Sequence, residues 1–279
     1  MNEHFFIYND RYFQNSQLAI SAGNNGLRYG DGLFETMRMH GGRILNAAFH
    51  FERLFSGMKT LQLDIPAYFS AAFFERSVNE LLLKNSIQKN ARIRLMVFRG
   101  NGYILESEKN GTDYIIETWP LGGKIELNED GFVVDIFDEA RNSCDSFCNL
   151  KSNNYLRNVM AGLFAKRNKL DEAIILNCYE RVSESGIANI FIVKGNQIFT
   201  PLLSEGCVAG TMRRWMLVNF SLNNYRVSEK PLSVNELLDA DEFFLTNAIH
   251  PIRWVKNFRD KIYKNEIIIE IFKYVDQNL

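Results

Sequence analysis

Three short segments in the second half of the chain carry residue types that could act together on one cofactor. Lys151, in NLKSNNYL, supplies a primary amine that can bind a carbonyl. Glu184, in ESGIANIF, supplies a carboxylate for a protonated ring nitrogen. Gly210 and Thr211, in CVAGTMRRW, open a helix whose first backbone amides favour a phosphate. An aldehyde, a ring nitrogen and a phosphate are the reactive parts of pyridoxal phosphate (PLP), so the pattern predicts a PLP site.

Each of these residues also has an interpretation that involves no cofactor. A lysine before a helix is usually solvated, and a glutamate between two strands is usually an ordinary turn residue. Lys151 differs in its polar, uncharged neighbours; a reactive lysine must be close to neutral, which burial and a nearby cation favour. Arg53, in HFERLFSGM, lies on the polar side of its predicted helix and is either a surface residue or a second phosphate ligand. Asn189 is expected to satisfy local backbone groups.

Composition limits the class of protein. The chain has 279 residues, 46% of them hydrophobic and 23% charged, and a net charge of -1, which is typical of a soluble protein of one large or two packed domains. Nothing in this charge balance favours nucleic acid or an anionic membrane as a partner. The start, MNEHFFIYND, has no basic or long apolar segment, so we expect a cytoplasmic protein. The 4 cysteines form no CxxC pair and are expected to be buried or half-buried free thiols, and no metal site is predicted.

Hydrophobic periodicity predicts an α+β chain of two unequal domains, residues 1–119 and 120–279, joined by the linker WPLGGK. The first domain is predicted to contain a hairpin turning at Asn9-Asp10, a strand pair around Gly41-Gly42, helices near 47–58 and 71–84, and the strands ARIRLMVFRG and DYIIETW. The second is predicted to contain the strands GFVVDIF, EAIILN and EFFLTNAIHPIRWV, the last running into a loop, the hairpin IANIFIVKGNQIFT, and the helices NNYLRNVMAGLFAKRN and TMRRWMLVNF.

Taken in order, the motifs RYGDGLFETMR, HFERL, LKSNNYL, ESGIANIF and GTMR, followed by FLTNAIHP, resemble the class IV aminotransferase family, the PLP enzymes of fold type IV. The resemblance covers about residues 5–255 and is most specific from Glu184 to Arg213. It implies a smaller N-terminal α/β domain, a larger C-terminal domain that carries the lysine, a cofactor bound between them, and a homodimer.

The resemblance also implies roles for single residues. Lys151 would bind the cofactor's aldehyde and then move the substrate's proton, and Glu184 would hold the pyridine nitrogen. The other implied cofactor contacts are Arg53, Gly210, Thr211 and Met212 at the phosphate, Asn247 and Ala248 on the phosphate or substrate-carboxylate side, and Tyr155 near the phenolic oxygen. Tyr29 and Phe34 would line the pocket for a small amine or amino acid substrate.

Departures from the aminotransferase pattern bear on the reaction. The helix starts Gly-Thr-Met-Arg where aminotransferases often have Gly-Ile-Thr-Arg, and deoxychorismate lyases tend to carry Met in that place. TNAIHP is also more similar to the Asn-Ala-x-x-Pro pattern of the lyases. The AGNNGLRYG segment is a degenerate form of the RDR-like sequence that precedes YGDG in the family. The leading hypothesis is therefore a 4-amino-4-deoxychorismate lyase. An aminotransferase for branched-chain or D-amino acids is the alternative, with Arg94, or else Arg92 or Arg99, as its carboxylate ligand. A catalytically silent PLP-binding protein stays open as a third class.

Overall fold

Two β-sheets divide the chain into two units. The structure, a computed structural model, describes residues 4–14, 17, 20–102, 111–222 and 225–279. The first unit comprises Met1–Lys124 and Leu150–Asn154, and the second comprises Ile125–Asn149 and Tyr155–Leu279. The boundary expected after residue 119 lies within a strand instead, because β-pairing continues through Pro120.

The first unit contains, in chain order, β1 (Phe5–Tyr8), β2 (Arg11–Gln14), α1 (Asn25–Tyr29), β3 (Gly32–His40), β4 (Arg43–Ile44), α2 (Ala47–Thr60), α3 (Ala71–Lys84), β5 (Ala91–Arg99) and β6 (Thr112–Pro120). Its strands form one antiparallel sheet in the order β2-β1-β6-β5-β3-β4. The predicted hairpin and strand pair are confirmed: Asn9 and Asp10 have the positive φ angles of a two-residue turn.

One face of this sheet is buried under α2 and α3. Alternate residues of β5, namely Ile93, Leu95 and Val97, are fully buried with the apolar stripes of both helices. The four α3 residues expected to face inward are buried as well: Phe74, Val78, Leu81 and Leu82. The intervening residues of β3 and β5 lie on the opposite face, which carries Phe34 and Arg94.

A five-residue segment from the middle of the chain completes the first unit. Within Leu150–Asn154, the Lys151 carbonyl accepts a hydrogen bond from Phe34 N at 2.9 Å, and Asn153 N donates to the Gly32 carbonyl at 2.9 Å. Gly32 permits this close approach, since a Cβ there would lie 2.7 Å from the Asn153 side chain. We expected Lys151 in the C-terminal domain; its backbone pairing with β3 places it in the first unit.

The second unit is built on a nine-stranded mixed sheet. Its elements are β7 (Phe132–Ile136), α4 (Leu156–Arg167), β8 (Glu172–Leu176), β9 (Val182–Ser185), β10 (Asn189–Lys194), β11 (Gln197–Thr200), α5 (Thr211–Asn219), β12 (Arg226–Glu229), α6 (Val234–Asp239), β13 (Glu242–Thr246), β14 (Arg253–Phe258), β15 (Lys261–Ile262) and α7 (Glu266–Asn278). The strand order is β12-β11-β10-β13-β14-β7-β8-β9, with β15 beside β14. The β7–β8, β7–β14 and β11–β12 pairs are parallel.

Several elements of this unit were not predicted. β9 is the polar sequence VSES, which lacks the apolar alternation of a strand, and β14 begins at Arg253, inside the segment that was expected to end in a loop. The helix α7 had a readable signal, because its buried residues Ile268, Ile271 and Val275 recur at helical spacing.

The periodicity of α4 predicts one apolar face made of Leu156, Val159, Met160 and Leu163, and the structure divides these residues. Leu156, Val159 and Leu163 are 74%, 50% and 48% exposed, whereas Met160 packs against the buried cluster that contains Ala161 and Ala165. No helix in the described part of the chain is long and apolar enough to cross a membrane.

The cysteines are free thiols, as expected. Cys207 is buried and Cys144 and Cys148 are half-buried, but Cys178 is exposed because it lies in the turn that joins β8 to β9. Burial first of all, and then the neighbouring Cys178 thiol, raise the pKa of Cys144 to about 11, so this thiol is mainly protonated at neutral pH.

Candidate active site

In the first unit, Lys151 lies over an aromatic ring that it shares with an arginine. Its Nζ is 4.6 Å from the centre of the Phe34 ring, and the Arg94 guanidinium carbon is 4.3 Å from the same centre. Phe34 is buried, and Lys151 is half-buried. The backbone bond between Phe34 and Lys151 fixes the position of the lysine relative to the ring. A primary amine, an aromatic wall and a cation are thus gathered at one end of β3.

The three candidate arginines of β5 have different surroundings. Arg99 is engaged structurally: its Nε donates to Asp31 at 2.6 Å, and its other nitrogens donate to the Leu61 and Gln62 carbonyls at the end of α2. Arg92 is exposed and stacks on Trp119. Arg94 alone of the three lies beside Phe34. This geometry favours Arg94 as a substrate ligand, whereas Tyr29, also predicted for the pocket, is 47% exposed.

Arg53 is not the surface residue that its position on the helix suggested. Its side chain is 12% exposed, and it donates through Nε and Nη2 to the two oxygens of Glu35, at 2.8 and 2.5 Å. The Nδ1 of His50, also on α2, is 2.6 Å from Glu35 Oε2. The reason is that Glu35, on the helix-facing side of β3, puts a carboxylate beneath α2. Neither Glu35 nor His50 was predicted from the sequence, although an acidic residue among the apolar residues of a strand was a signal for Glu35.

In the second unit, Glu184 is a buried carboxylate held by two donors. It is 5% exposed in β9, where its Oε2 accepts from Val208 N at 2.9 Å and its Oε1 from Asn142 Nδ2 at 3.2 Å. Asn142 in turn accepts a 2.5 Å hydrogen bond from Arg157 of α4. Donors to a carboxylate stabilise its ionised form. Glu184 therefore has the surroundings that a partner of a protonated pyridine nitrogen needs. Asn142 and Arg157 were not predicted, since no local pattern marks them.

The start of α5 has the features of an anion site. Its N-cap, Gly210, has no side chain that could cap the helix, and a Cβ there would lie 1.8 Å from Asn189 Oδ1. Asn189 donates to the Val208 carbonyl at 2.9 Å, which confirms its expected backbone role. Thr211 and Met212 are buried, so the Met212 side chain belongs to the core. Arg213, the last residue of the motif, binds the Pro201 carbonyl and Glu229.

A hydroxyl without a partner lies close to this helix start. Thr246 ends β13 directly opposite Asn189 in the strand register, and its Oγ1 is buried with no hydrogen-bond partner among the described residues. A buried hydroxyl in this state is available to hydrogen-bond a bound group. The predicted neighbours Asn247 and Ala248 follow it. Asn247 Oδ1 accepts from the backbone of Ile249 and His250, which shapes the turn and leaves Ala248 half-buried within it.

Tyr155 is the N-cap residue of α4, and its hydroxyl donates to the Gly186 carbonyl at 3.1 Å. This contact ties the start of α4 to the turn that follows Glu184. The role of Tyr155 near the cofactor stays a prediction.

Comparison with known proteins defines the family. The model of the amino-transferase class IV family matches residues 32–258, and the chain therefore belongs to that family. An aminodeoxychorismate lyase of Bacillus subtilis is 29% identical over 245 residues, which are 86% of this chain and 82% of the relative. A branched-chain-amino-acid aminotransferase of Pseudomonas aeruginosa is 30% identical over 241 residues, 82% of this chain and 77% of the relative.

Comparison with solved structures assigns the fold. The crystal structure of a branched-chain aminotransferase from Thermoproteus uzoniensis superposes with a TM-score of 0.88 at 23% identity, covering 99% of this chain and 94% of the other. The architecture is that of the fold-type IV enzymes. The chain is a PLP-dependent enzyme, as the motifs predicted. The residues present fit this cofactor: Glu184 offers a supported carboxylate, α5 an uncapped start, and Thr246 an unpartnered hydroxyl.

Proposed function

We propose that this chain is a 4-amino-4-deoxychorismate lyase, which forms 4-aminobenzoate and pyruvate and serves folate biosynthesis. The observation that carries the proposal is the second residue of α5, Met212, whose side chain is buried. Only its backbone N–H can therefore serve a phosphate, as in the lyase pattern, whereas the aminotransferase pattern has a threonine hydroxyl there. The B. subtilis relative named aminodeoxychorismate lyase supports the same reading.

The residues divide the work as follows. Bound PLP supplies an aldehyde that condenses with amines and a protonated ring that withdraws electrons from them. Lys151 Nζ would hold the cofactor at its aldehyde and, once released as a neutral amine, would take a proton from the substrate's ring carbon. The substrate's C–O bond to enolpyruvate breaks as its ring becomes aromatic, and enolpyruvate takes up a proton to become pyruvate. Glu184 keeps the proton on the pyridine nitrogen, helped by the donors from Asn142 and Val208.

The phosphate would be bound by one charged side chain and by backbone N–H groups. We assign it to Arg53 and to the backbone amides of Thr211 and Met212. The Thr246 hydroxyl would supply another bond, and Asn247 and Ala248 would form the adjacent turn. Tyr155 stays the candidate for the phenolic oxygen.

An aminotransferase for branched-chain or D-amino acids is the second candidate. Arg94 favours it, because a guanidinium beside Phe34 and near Lys151 could bind the α-carboxylate of an amino acid. The P. aeruginosa relative named branched-chain-amino-acid aminotransferase supports it too. The two reactions share Lys151 and Glu184 and differ in whether the substrate proton is lost or returned to another carbon.

The test is to give the PLP-loaded enzyme freshly generated 4-amino-4-deoxychorismate and to measure 4-aminobenzoate and pyruvate. We expect equal amounts of both products from the natural chain and none from Lys151→Ala. A parallel reaction supplies branched-chain or D-amino acids with 2-oxoglutarate and measures glutamate. Glutamate without 4-aminobenzoate would overturn the lyase in favour of the aminotransferase.

We further propose that the enzyme is a homodimer in the cytoplasm. The four free cysteines favour a reducing compartment. The exposed apolar face of α4, formed by Leu156, Val159 and Leu163, supports self-association, because an isolated helix of a soluble protein would turn these residues inward.

A further inference from the structure

The buried carboxylate of Glu35 calls for a physical reason. Glu35 is 1% exposed and shares its face of β3 with the core residues Leu33 and Met37. An ionised group in such surroundings is strongly destabilising unless it is paired and fully hydrogen-bonded. Its partners, His50 and Arg53, are three residues apart on α2 and therefore on the same side of the helix.

The contacts fix the orientation of the arginine. Both oxygens of Glu35 accept from Arg53, through Nε and Nη2, so the carboxylate and the guanidinium are aligned in a bidentate pair. His50 is 1% exposed and binds Oε2, one of those two oxygens, from the other side. An arginine without such contacts samples many rotamers, and a ligand that binds it must first order the side chain.

The surroundings of Glu35 and His50 also determine the protonation state of each side chain. Burial would raise the pKa of Glu35, but the electrostatic effects of Arg53 and His50 and the hydrogen bonds from both lower it to about 2, so the carboxylate is ionised. Burial lowers the pKa of His50, the charge of Glu35 and its hydrogen bond raise it, and the charges of Arg53 and Lys151 lower it; the net shift is downward. His50 is therefore a neutral donor to Glu35 through Nδ1–H.

We propose that Glu35 and His50 are positioning residues for the cofactor's phosphate: they hold the Arg53 guanidinium in the one orientation in which it binds that phosphate. The proposal rests on the assigned role of Arg53. It differs from a purely structural role, in which the ion pair only attaches α2 to β3. A positioning role affects the phosphate alone, and a structural role affects every ligand of the site.

The test compares PLP with pyridoxal, which has the same ring and aldehyde but no phosphate. Dissociation constants of both are measured by absorbance titration of the apo forms of the natural chain and of Glu35→Gln. Glutamine preserves the shape of the residue but turns an N–H₂ group toward a donor. We expect PLP to bind on the order of tenfold more weakly, from the rotamer freedom restored to Arg53, with pyridoxal unchanged. Equal weakening of both ligands would show a structural role and overturn the proposal.

Further variants separate this proposal from the role of Arg53 itself. Arg53→Ala should reduce the preference for PLP over pyridoxal, and adding Glu35→Gln to it should change nothing more. If Arg53→Ala leaves the preference intact, the phosphate role of Arg53 is wrong and the positioning role falls with it. If Arg53→Ala reduces the preference and Glu35→Gln does not, only the positioning role is wrong.

Two variants guard against misfolding. Asp31→Asn removes the carboxylate partner of Arg99 in the same unit and should leave the PLP preference unchanged. If Glu35→Gln does not fold, His50→Gln replaces it: this change removes the Nδ1–H donor and should reduce the preference by a smaller factor, about threefold. An unchanged preference in His50→Gln would then overturn the proposal.

Discussion

At the residue scale, the side chain of Asn142 connects Glu184 to Arg157 of α4. Its amide nitrogen donates to Glu184, Ser183 and the Gly206 carbonyl, and its oxygen accepts from Arg157. The amide has two N–H groups, so the three acceptors around its nitrogen share them, while its oxygen accepts from Arg157. The hydrogen bonds from Asn142 and Val208 thereby hold Glu184 in place and stabilise its carboxylate form.

We predict that Asn142→Ala lowers kcat about tenfold, because a hydrogen bond to an ionised carboxylate contributes about 1.5 kcal/mol. KM should change little, since Asn142 is assigned no contact with the substrate. Steady-state kinetics of the PLP-loaded enzyme, with 4-aminobenzoate or glutamate as the readout, checks this. Asn149→Ala is the matched control: this asparagine donates to the Leu203 and Cys207 carbonyls. An Asn142→Ala enzyme with full kcat would contradict the prediction.

The residues predicted for the reaction, Lys151, Glu184 and the start of α5, lie in short motifs, and the order of those motifs carried the family resemblance. Their catalytic roles stay predictions. The partners of the site residues were not predicted, because Glu35 meets Arg53, and Asn142 meets Arg157, only after strands and helices have packed. A periodic pattern assigns Arg53 to the polar side of its helix, but it cannot show that the buried carboxylate of Glu35 packs against that side.

At the element scale, the position of α5 depends on one missing side chain. Gly210 lies so close to Asn189 of β10 that no other residue fits without movement. The φ angle of Gly210 is -65°, which any residue adopts, so the requirement is for space and not for backbone freedom.

Gly210→Ala should therefore destabilise the fold by about 1–3 kcal/mol, the usual result of overpacking, and weaken PLP binding by moving the helix start. Urea unfolding and cofactor titration measure the two effects. Gly162→Ala serves as the comparison, because its Cβ would meet nothing within 4 Å; in α4 it should stabilise by up to about 1 kcal/mol. Equal stability of the Gly210→Ala and Gly162→Ala proteins would contradict this account.

At the scale of the whole molecule, the exposed face of α4 makes self-association testable. Replacing Leu156, Val159 and Leu163 together by serine should convert a dimer to a monomer, because the apolar area that drives association is lost. Sedimentation velocity measures the change. Leu83→Ser, on α3, is the control, since Leu83 is 79% exposed and belongs to a different helix. A natural chain that sediments as a monomer, or a triple variant that still dimerises, would refute the assignment.

The sequence predicted most strands and helices of both units but not the membership of every segment. The periodic runs of α3 and β5 read clearly because each has a single buried face. The sequence did not predict that Lys151 belongs to the first unit. That placement depends on backbone hydrogen bonds to β3, which lies more than a hundred residues earlier in the chain. Such long-range pairing leaves no mark in the order of nearby residues.

The segment Leu150–Asn154 has a consequence for how this protein can be inherited. Recombination or gene fission tends to preserve function when it cuts between independent modules, and the boundary after Lys124 looks like such a cut. A gene fragment ending there would encode β3, Glu35 and Arg53 but not the amine that belongs beside them. The remaining fragment would encode Lys151 without the strand that anchors it. Neither piece alone would contain both Lys151 and the strand that anchors it, so a cut at this boundary separates two segments that the fold brings together.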